Sequence, residues 1–436
     1  MHHPLITARQ KIYALLRTIT NASVIKHFFI YSFGSFFLRS ISMILVPLNM
    51  RKLTPTDYGT LSLITAFITI ATALIGLGLR QVLSIEFFHQ NQEGKKRLLT
   101  DMIVIYTTIA IPAVAVAWHA RALIISSIFF NTITATQLTP ALITVFLFFY
   151  AELLYQLLQY ERKAIPLTTL QILLALISAT ITLVSLWIFN AGLVGIIWAQ
   201  TVSTVLATLI FFLFLAKHYF LRSSIRASLS KTYYYILYGL PFIPGIICSW
   251  VLASADRWVL ASYRSMHEVG IYAIADLFAQ LFYTLVLIPW SGSYLPYIMQ
   301  RYAKHKDDIA PIERENRQIM FMSMIGSTIV ILIGFFCFKS FLRYLLPATY
   351  YSAIPYILVL LLGQIFLLGS YFAATLIQFH KKSYFLAFAL AIPAIANLFL
   401  NLLLTPYFGI AGCTAATLIS YSIYFMITYL YSKTLI

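Results

Sequence analysis

The chain has 436 residues, of which 61% are apolar and only 10% are charged, whereas charged residues make up about 25% of soluble domains. This composition excludes an ordinary soluble enzyme and indicates a protein that crosses a membrane many times. The formal net charge of +17 would suggest nucleic-acid binding in a soluble chain, but basic cytoplasmic loops explain it in a membrane protein. We therefore expect no nucleic-acid partner.

Apolar runs of about 20 residues, separated by charged or Pro/Gly-rich clusters, predict twelve membrane-spanning helices. The predicted spans, numbered 1 to 12 in chain order, are 27–48, 58–79, 99–119, 139–160, 166–189, 193–216, 233–261, 268–297, 317–338, 353–379, 384–405 and 409–431. The apolar stretch from Arg121 to Ile133 is too short to cross, so we place it at the membrane interface. The longest predicted loop, from Met299 to Asn316, is too short to fold as an ATPase, and the sequence has no phosphate-binding loop motif.

The predicted spans divide this all-α chain into two groups of six. The expected parts are a cytoplasmic N-terminal segment (1–26), a first six-helix bundle (27–216), a basic cytoplasmic linker (217–232), a second six-helix bundle (233–431) and a cytoplasmic tail (432–436). The N-terminal segment has the composition of either an interfacial amphipathic helix or a disordered tail.

Basic residues are distributed unequally between the two sides of the membrane. With the N-terminus inside, 22 of the 30 Lys and Arg residues fall in cytoplasmic segments, six fall in the opposite loops, and Arg39 and Arg257 fall within spans. Because basic loops stay in the cytoplasm, both termini are predicted to be cytoplasmic. These loops also attract anionic head groups, so membrane lipids are expected partners.

Short matches recur between the two halves in the same order. The sequence GLVG from Gly192 opens span 6 and GIAG from Gly409 opens span 12, while DYG at 57–59 corresponds to EVG at 268–270. Six helices repeated in the same orientation predict two bundles related by a pseudo-two-fold axis along the membrane normal. In alternating-access carriers with this architecture, the functional cavity lies between the halves.

Five ionisable side chains lie at membrane depth, where each costs at least about 2.5 kcal/mol to insert and therefore marks a candidate functional position. They are Arg39 in span 1, Glu152 in span 4, Asp256 and Arg257 in span 7, and Asp276 in span 8. Counted from the turn between spans 7 and 8, Arg257 and Asp276 lie within roughly 5 Å of the same depth. Arg257 can therefore form a structural ion pair with Asp276 or Asp256, or serve in function.

Arg39 and Glu152 have no partner nearby in the sequence. The guanidinium of Arg39 keeps its proton and donates paired hydrogen bonds to phosphate or carboxylate, which predicts a substrate ligand. A carboxyl group in a low-dielectric cavity can exchange a proton near neutral pH. Glu152 is therefore either a proton- or cation-coupling residue or a hydrogen-bonded structural carboxyl.

Span 7 contains Pro241, Pro244 and Gly245 within one predicted helix. Proline removes backbone hydrogen bonds and bends a helix. These residues are predicted either to provide the bending that a change of access requires or to form a fixed kink.

The three cysteines, Cys248, Cys337 and Cys413, lie singly in apolar stretches without metal-ligand spacing. We expect no disulfide, no metal and no cofactor.

Several sequence blocks together resemble the polysaccharide transporter branch of the multidrug/oligosaccharidyl-lipid/polysaccharide exporter (MOP) superfamily, specifically Wzx-type O-antigen flippases. The blocks are LTPTDYG from Leu53, LPFIPG from Leu240 with SWVL and Asp256-Arg257 in span 7, VGIYA from Val269, and the stretch from Asn397 to Gly412. The resemblance covers about residues 28–431. It implies a MATE-like fold, in which two six-helix bundles surround a central cationic cavity.

This resemblance implies a flippase rather than an enzyme. Such proteins move undecaprenyl-diphosphate-linked oligosaccharide from the cytoplasmic to the periplasmic leaflet of the bacterial inner membrane, coupled to protons or a monovalent cation, during O-antigen and lipopolysaccharide biosynthesis. A polysaccharide polymerase and a chain-length regulator are the further partners implied. Carried onto this sequence, Arg39 and Arg257 are substrate ligands, and Glu152, Asp256 and Asp276 are coupling residues. The charges at membrane depth sum to +2 and −3, which departs from a cationic cavity.

Three alternatives remain open from the sequence. A related multidrug or cation antiporter is disfavoured by Arg39, and a peptidoglycan-precursor flippase is disfavoured because those proteins resemble fourteen-helix chains. A membrane-embedded enzyme of cell-envelope assembly would require a large outer loop with catalytic carboxylates, which the predicted outer loops lack.

Overall fold

The structure is a computed structural model that describes residues 37, 41, 44–161, 163–218, 229–304 and 308–435. The N-terminal segment 1–26, most of span 1 with Arg39, and most of the linker 217–232 lie outside the described residues. The predictions made for these parts therefore remain predictions.

The described residues form helices and contain no β-strand, since a helix satisfies its backbone hydrogen bonds internally and so can cross lipid. Eleven of the helical segments are long and apolar enough to cross a membrane, and they coincide with predicted spans 2 to 12. These segments are Pro55–Ile75, Gln92–His119, Ala135–Tyr160, Ile165–Trp187, Gly192–Lys217, Tyr233–Tyr263, Met266–Leu287, Ala310–Cys337, Ala348–Phe379, Tyr384–Phe408 and Ile410–Lys433. The end of span 1 is helical at 44–50.

The prediction of a loop from Met299 to Asn316 is wrong. The helices Ile288–Lys304 and Ala310–Leu345 cover most of this stretch. Its charged residues predicted a loop, but two helices extend here and bury a polar contact between Tyr302 and Glu313. By contrast, the stretch after Arg121 forms the seven-residue helix Arg121–Ser127, which is too short to cross, as the sequence predicts.

The backbone shows the same connection in both halves. Gly192 and Gly409, which correspond in the sequence repeat, have φ angles of 57° and 55°. This left-handed region favours glycine because a side chain would clash there. The shared conformation at the starts of spans 6 and 12 agrees with a parallel internal repeat.

Span 2 crosses span 8 at a pair of glycines, Gly59 and Gly270, that also correspond in the repeat. A Cβ added at Gly270 would lie 1.7 Å from the carbonyl oxygen of Pro55 and 3.0 Å from the backbone nitrogen of Gly59. Only glycine permits so close an approach. The crossing lies at the N-terminal ends of spans 2 and 8, which the charge distribution predicts to be the outer end of the bundle.

Tryptophan and tyrosine side chains add hydrogen bonds between the halves near the same end. Trp258 Nε1 donates to the carbonyl of Ile128, and Trp250 Nε1 donates to the carbonyl of Ala66, both at 3.0 Å. The Tyr350 hydroxyl donates to the carbonyl of Leu53 at 2.9 Å. Side chains of span 7 and of the start of span 10 therefore join the second half to the first by hydrogen bonds.

Span 7 is a helix interrupted at defined points. Its consecutive segments are the α-helix Leu229–Gly239, the 3-10 turn Leu240–Phe242, the α-helix Ile243–Trp250, the π-helical Val251–Ala255 and the α-helix Asp256–Tyr263. The first segment packs against the first half, since Tyr235 is buried in that half's core with Val82 and Leu98. The last segment packs against span 11 of the second half. Span 7 therefore changes partners across Pro241 and Pro244.

Candidate functional site

A buried ion pair joins spans 7 and 8 in the second half. Arg257 Nη2 lies 2.5 Å from Asp276 Oδ2, and each side chain is 13% exposed. The two residues lie at the same depth, as counting along the two helices predicts. Arg257 Nε is buried and has no hydrogen-bond partner among the described residues. The guanidinium thus keeps one donor that the ion pair does not use.

Asp256 is buried beside this pair, with 3% of its surface exposed. Its carboxylate accepts hydrogen bonds from the Tyr272 hydroxyl and from the backbone N–H of Arg257, the latter at 2.8 Å. The Tyr272 hydroxyl lies 3.4 Å from the hydroxyl of Thr417 in span 12. Asp256 is the first residue after the π-helical turn, a feature often found at functional sites.

Two asparagines of span 11, Asn397 and Asn401, lie in the same part of the second half. Asn401 Nδ2 donates to Asn397 Oδ1 at 3.1 Å, but Asn401 Oδ1 and Asn397 Nδ2 are buried without a partner among the described residues. One turn after Asn401, the Thr405 hydroxyl lies 3.1 Å from the thiol of Cys413. That thiol lies 4.0 Å from the backbone oxygen of Asp256, so the last turns of span 11 lie beside the segment of span 7 that carries the ion pair. We call Asp256, Arg257, Tyr272, Asp276, Asn397, Asn401 and Thr417 the buried polar cluster.

Glu152 lies apart from this cluster, in the first half. Its carboxylate pairs with Arg80 at 2.6 Å, and the Glu152 and Arg80 side chains are 23% and 44% exposed. Arg80 lies in the short helix Leu79–Glu86 that follows span 2, so the pair joins this helix to span 4. The structure therefore gives Glu152 a partner that its neighbours in the sequence did not indicate.

A second polar network lies where the end of span 8, the start of span 9 and the end of span 10 meet. Glu313 is 1% exposed and accepts hydrogen bonds from the Tyr302 hydroxyl and from Asn316 Nδ2, the latter at 3.2 Å. Asn316 also contacts the Thr375 hydroxyl at 3.3 Å. We did not predict this network, because its residues were placed in or beside a loop.

The predicted kink residues lie between the parts of span 7 that contact different halves. Pro241 falls in the 3-10 turn and Pro244 in the first turn of the next helix. Among the described residues, no atom lies within 4 Å of a Cβ added at Gly245. Space around this glycine is compatible with the predicted bending, which stays a prediction.

Sequence analysis missed most hydrogen-bonding members of the buried polar cluster. The polar residues Tyr272, Asn397, Asn401 and Thr417 stand within apolar windows, and a polar group inside a membrane span is a default functional candidate. Treating uncharged polar residues in the same way as charged ones would have found them. Within the described ranges, no group of three or more His, Cys, Asp or Glu side chains is placed to hold a metal.

The architecture is that of a known class of membrane transporters. The chain is similar to an inward-facing MATE-family multidrug resistance transporter of the MOP superfamily, with a TM-score of 0.70 and 14% identity over 92% of this chain and 94% of that chain. It is also similar to the lipid II flippase MurJ in an inward closed conformation, with a TM-score of 0.72 and 15% identity over 92% and 87% of the two chains. The predicted MATE-like fold is therefore confirmed.

The sequence places the chain within a family. Residues 24–302 match the polysaccharide biosynthesis protein family, and the chain belongs to it. An uncharacterized membrane protein of Haemophilus influenzae (strain ATCC 51907 / DSM 11121 / KW20 / Rd) is 20% identical over 412 residues, which cover 92% of this chain and 97% of that protein. The chain is thus a multi-pass membrane protein of the polysaccharide biosynthesis protein family.

Proposed function

We propose that this protein is a flippase that carries an undecaprenyl-diphosphate-linked oligosaccharide, such as an O-antigen repeat unit, across the bacterial inner membrane. The observation that carries the proposal is Arg257, a buried guanidinium with an unused Nε donor, in a member of a polysaccharide biosynthesis family. A fixed positive charge with free donors suits a diphosphate. A fold shared with a lipid II flippase is compatible with this role.

Transport would proceed by alternating access between the two halves. The crossing of Gly59 with Gly270 closes one end of the interface, which the charge distribution assigns to the periplasm. The head group enters from the opposite, cytoplasmic side, where both termini are placed. The protein lowers the desolvation barrier of the polar head group and breaks no bond.

We further propose that Asp256 couples transport to a proton or a monovalent cation. A buried carboxylate can take up a proton, and the unpartnered Asn401 Oδ1 on span 11, which packs against span 7, is a further oxygen that a hard cation could use. Asp276 is held by Arg257 and tunes the charge of the cluster. Glu152, paired with the partly exposed Arg80, is a separate coupling candidate in the first half.

Genetic complementation tests the flippase proposal. The gene is deleted in its own host, and surface glycan and undecaprenyl-diphosphate-linked repeat units are measured before and after complementation with wild type or Arg257→Gln. We expect the deletion to lose long glycan and to accumulate repeat units on the cytoplasmic side. Wild type should restore glycan, whereas Arg257→Gln should not, at equal membrane abundance. Arg343→Gln, an exposed arginine at the far end of span 9, is the matched control and should complement fully.

Other outcomes of this experiment identify the alternatives. Intact glycan with altered drug sensitivity in the deletion would replace the flippase with a multidrug or cation antiporter. Accumulation of peptidoglycan precursors would instead assign the substrate to cell-wall synthesis. Arg39→Ala, tested in the same strain, asks whether the predicted arginine of span 1 is also a ligand.

Coupling is tested by transport in vesicles under imposed gradients. Asp256→Asn keeps the shape of the side chain but removes its charge and its proton. We expect this variant to lose stimulation by a pH or sodium gradient, whereas Glu315→Gln, a change at a partly exposed carboxylate, should keep it. Gradient-driven transport by Asp256→Asn at the wild-type rate would overturn the coupling role.

A further inference from the structure

A groove lies on the flank of the second half, between spans 8, 9 and 10. Its volume is about 560 Å³, and its lining is apolar except for two serines. Phe282 and Trp290 come from span 8, Gly326 and Val330 from span 9, and Phe372 from span 10. This groove is separate from the buried polar cluster, and the proposed function does not use it.

Two features of the helices produce the groove. Span 8 is π-helical at Tyr283–Leu287, and a π-bulge adds one residue to a turn and changes the direction of the side chains that follow. On span 9, Gly326 has no side chain, and no atom in the part of the chain that the structure describes lies within 4 Å of a Cβ added there. The missing side chain leaves the floor of the groove open.

The groove opens toward the membrane. Two of its lining residues, Leu285 and Val330, are 49% and 70% exposed, although both belong to helices that cross the bilayer. Water does not occupy an apolar space without polar partners, and an empty groove would forfeit van der Waals contacts on every lining atom. A hydrocarbon chain is therefore the occupant that the surroundings favour.

We propose that this groove holds the polyprenyl chain of the transported lipid. The proposal rests on the proposed function, because it requires a lipid-linked substrate whose head group lies at Arg257. Span 8 connects the two places, since Asp276 pairs with Arg257 and Phe282 follows it by six residues, about 9 Å along the helix axis. A lipid whose diphosphate lies at Arg257 can lay its chain along span 8 and into the groove.

The position of the groove favours this chain over the acyl chain of a bilayer phospholipid. Phospholipid head groups stay at the interface, so their chains reach the middle of spans 8 and 9 only by their ends. A head group drawn into the protein brings its own chain to that depth, and the isoprene units that follow the first few extend past Phe282 into the groove. The aromatic rings of Phe282, Trp290 and Phe372 offer rigid surfaces for the branched, unsaturated units.

Chain-length preference separates the groove from the head-group site. Undecaprenyl phosphate and farnesyl phosphate carry the same head group, so the purified protein in lipid nanodiscs is titrated with each and binding is followed by native mass spectrometry. Both prenyl chains are dissolved in the lipid of the nanodisc before they bind, so neither gains from leaving water. The difference in affinity between the two prenyl phosphates therefore reports contact of the chain with the groove. We expect wild type to prefer the longer chain by about tenfold, as several good van der Waals contacts provide.

Two glycines of span 9 provide a matched pair of variants. Gly326→Leu fills the groove and should reduce the preference to about onefold, while leaving farnesyl phosphate binding unchanged. Gly334 lies two turns further along the same helix, also with no atom within 4 Å of an added Cβ, and is not part of the groove lining. Gly334→Leu should keep the wild-type preference. Thermal unfolding of both variants checks that they fold alike.

The outcomes distinguish failure of the groove from failure of the proposed function. If neither prenyl phosphate binds wild type, both proposals fall. If both bind equally well, or if the two glycine variants behave alike, the groove proposal falls while the flippase stands. If phosphatidylglycerol displaces bound undecaprenyl phosphate as efficiently as unlabelled undecaprenyl phosphate does, the occupant is a phospholipid chain and the proposal is overturned. Arg257→Gln should weaken both prenyl phosphates equally and leave their ratio unchanged.

Discussion

Substituting Gly270 by alanine should open the contact between spans 2 and 8. The added Cβ would lie 1.7 Å from the carbonyl oxygen of Pro55, whereas ordinary contacts begin at 3.4 Å. The atom that the added Cβ would meet belongs to the backbone of Pro55, which cannot rotate away as a side chain would. The two helices must therefore separate at this end of the bundle.

The size of the effect follows from the cost of the close contact. Forcing an extra carbon into a packed contact costs about 1–3 kcal/mol, and the short distance here places the cost at the upper end. The greater helix preference of alanine stabilises span 8 in the closed and the open arrangement alike, so it does not change their ratio. The closed arrangement should therefore lose about 2–3 kcal/mol, which changes the ratio of closed to open molecules by roughly 30- to 150-fold.

The separation can be measured with spin labels in a background without the native cysteines. Thr56 and His267 are exposed near the starts of spans 2 and 8 and serve as label sites. We expect Gly270→Ala to broaden and lengthen the distance distribution between them. Gly334→Ala, at a position with no atom within 4 Å of its added Cβ, should leave the distances unchanged. Equal distributions for the two variants would refute the argument from close packing.

Three further predictions concern charged groups. Asp276→Asn leaves the Arg257 guanidinium buried without its counter-ion, so the free energy of unfolding, measured by denaturation in detergent, should fall by about 3–5 kcal/mol. Replacing both residues by leucine should restore stability but not transport. Glu313→Gln weakens buried hydrogen bonds and should cost about 1–3 kcal/mol, whereas Glu315→Gln, at a partly exposed ion pair, should cost less than about 1 kcal/mol. Glu152→Gln breaks a partly exposed ion pair and should change stability by no more than about 1 kcal/mol. Loss of gradient-driven transport in this variant would therefore identify a coupling role for Glu152. Normal transport would remove Glu152 from the coupling candidates.

The sequence predicted those features that depend on one helix or on two consecutive helices. Apolar runs located spans 2 to 12, because the thickness of a bilayer sets the length of each run. The pairing of Arg257 with Asp276 was predictable because consecutive helices share a turn, and counting residues from that turn gives the depth. The short helix after Arg121 was predictable from its length.

Contacts between distant helices were not predictable in this way. Arg80 pairs with Glu152 although 72 positions separate them, and nothing in either local sequence names the other. Glu313 was assigned to a loop because charged residues usually mark one, yet Tyr302 and Asn316 satisfy its carboxylate inside the protein. Asn401 escaped notice because one amide barely changes the hydropathy of its span. Tertiary packing decides such cases, and a single sequence does not encode it locally.

The change of partners along span 7 has a consequence for how the protein can move. The sequence predicts a boundary between the two repeats at 217–232, before span 7, but the segment up to Gly239 is packed into the core of the first half. A rigid unit that travels with spans 1 to 6 therefore includes the first third of span 7, and the mechanical boundary falls at Pro241 and Pro244. The repeat boundary and the boundary between the packed units therefore differ by about three turns of helix. A rigid-body motion that began at the repeat boundary would break the contacts of Tyr235 with the first half.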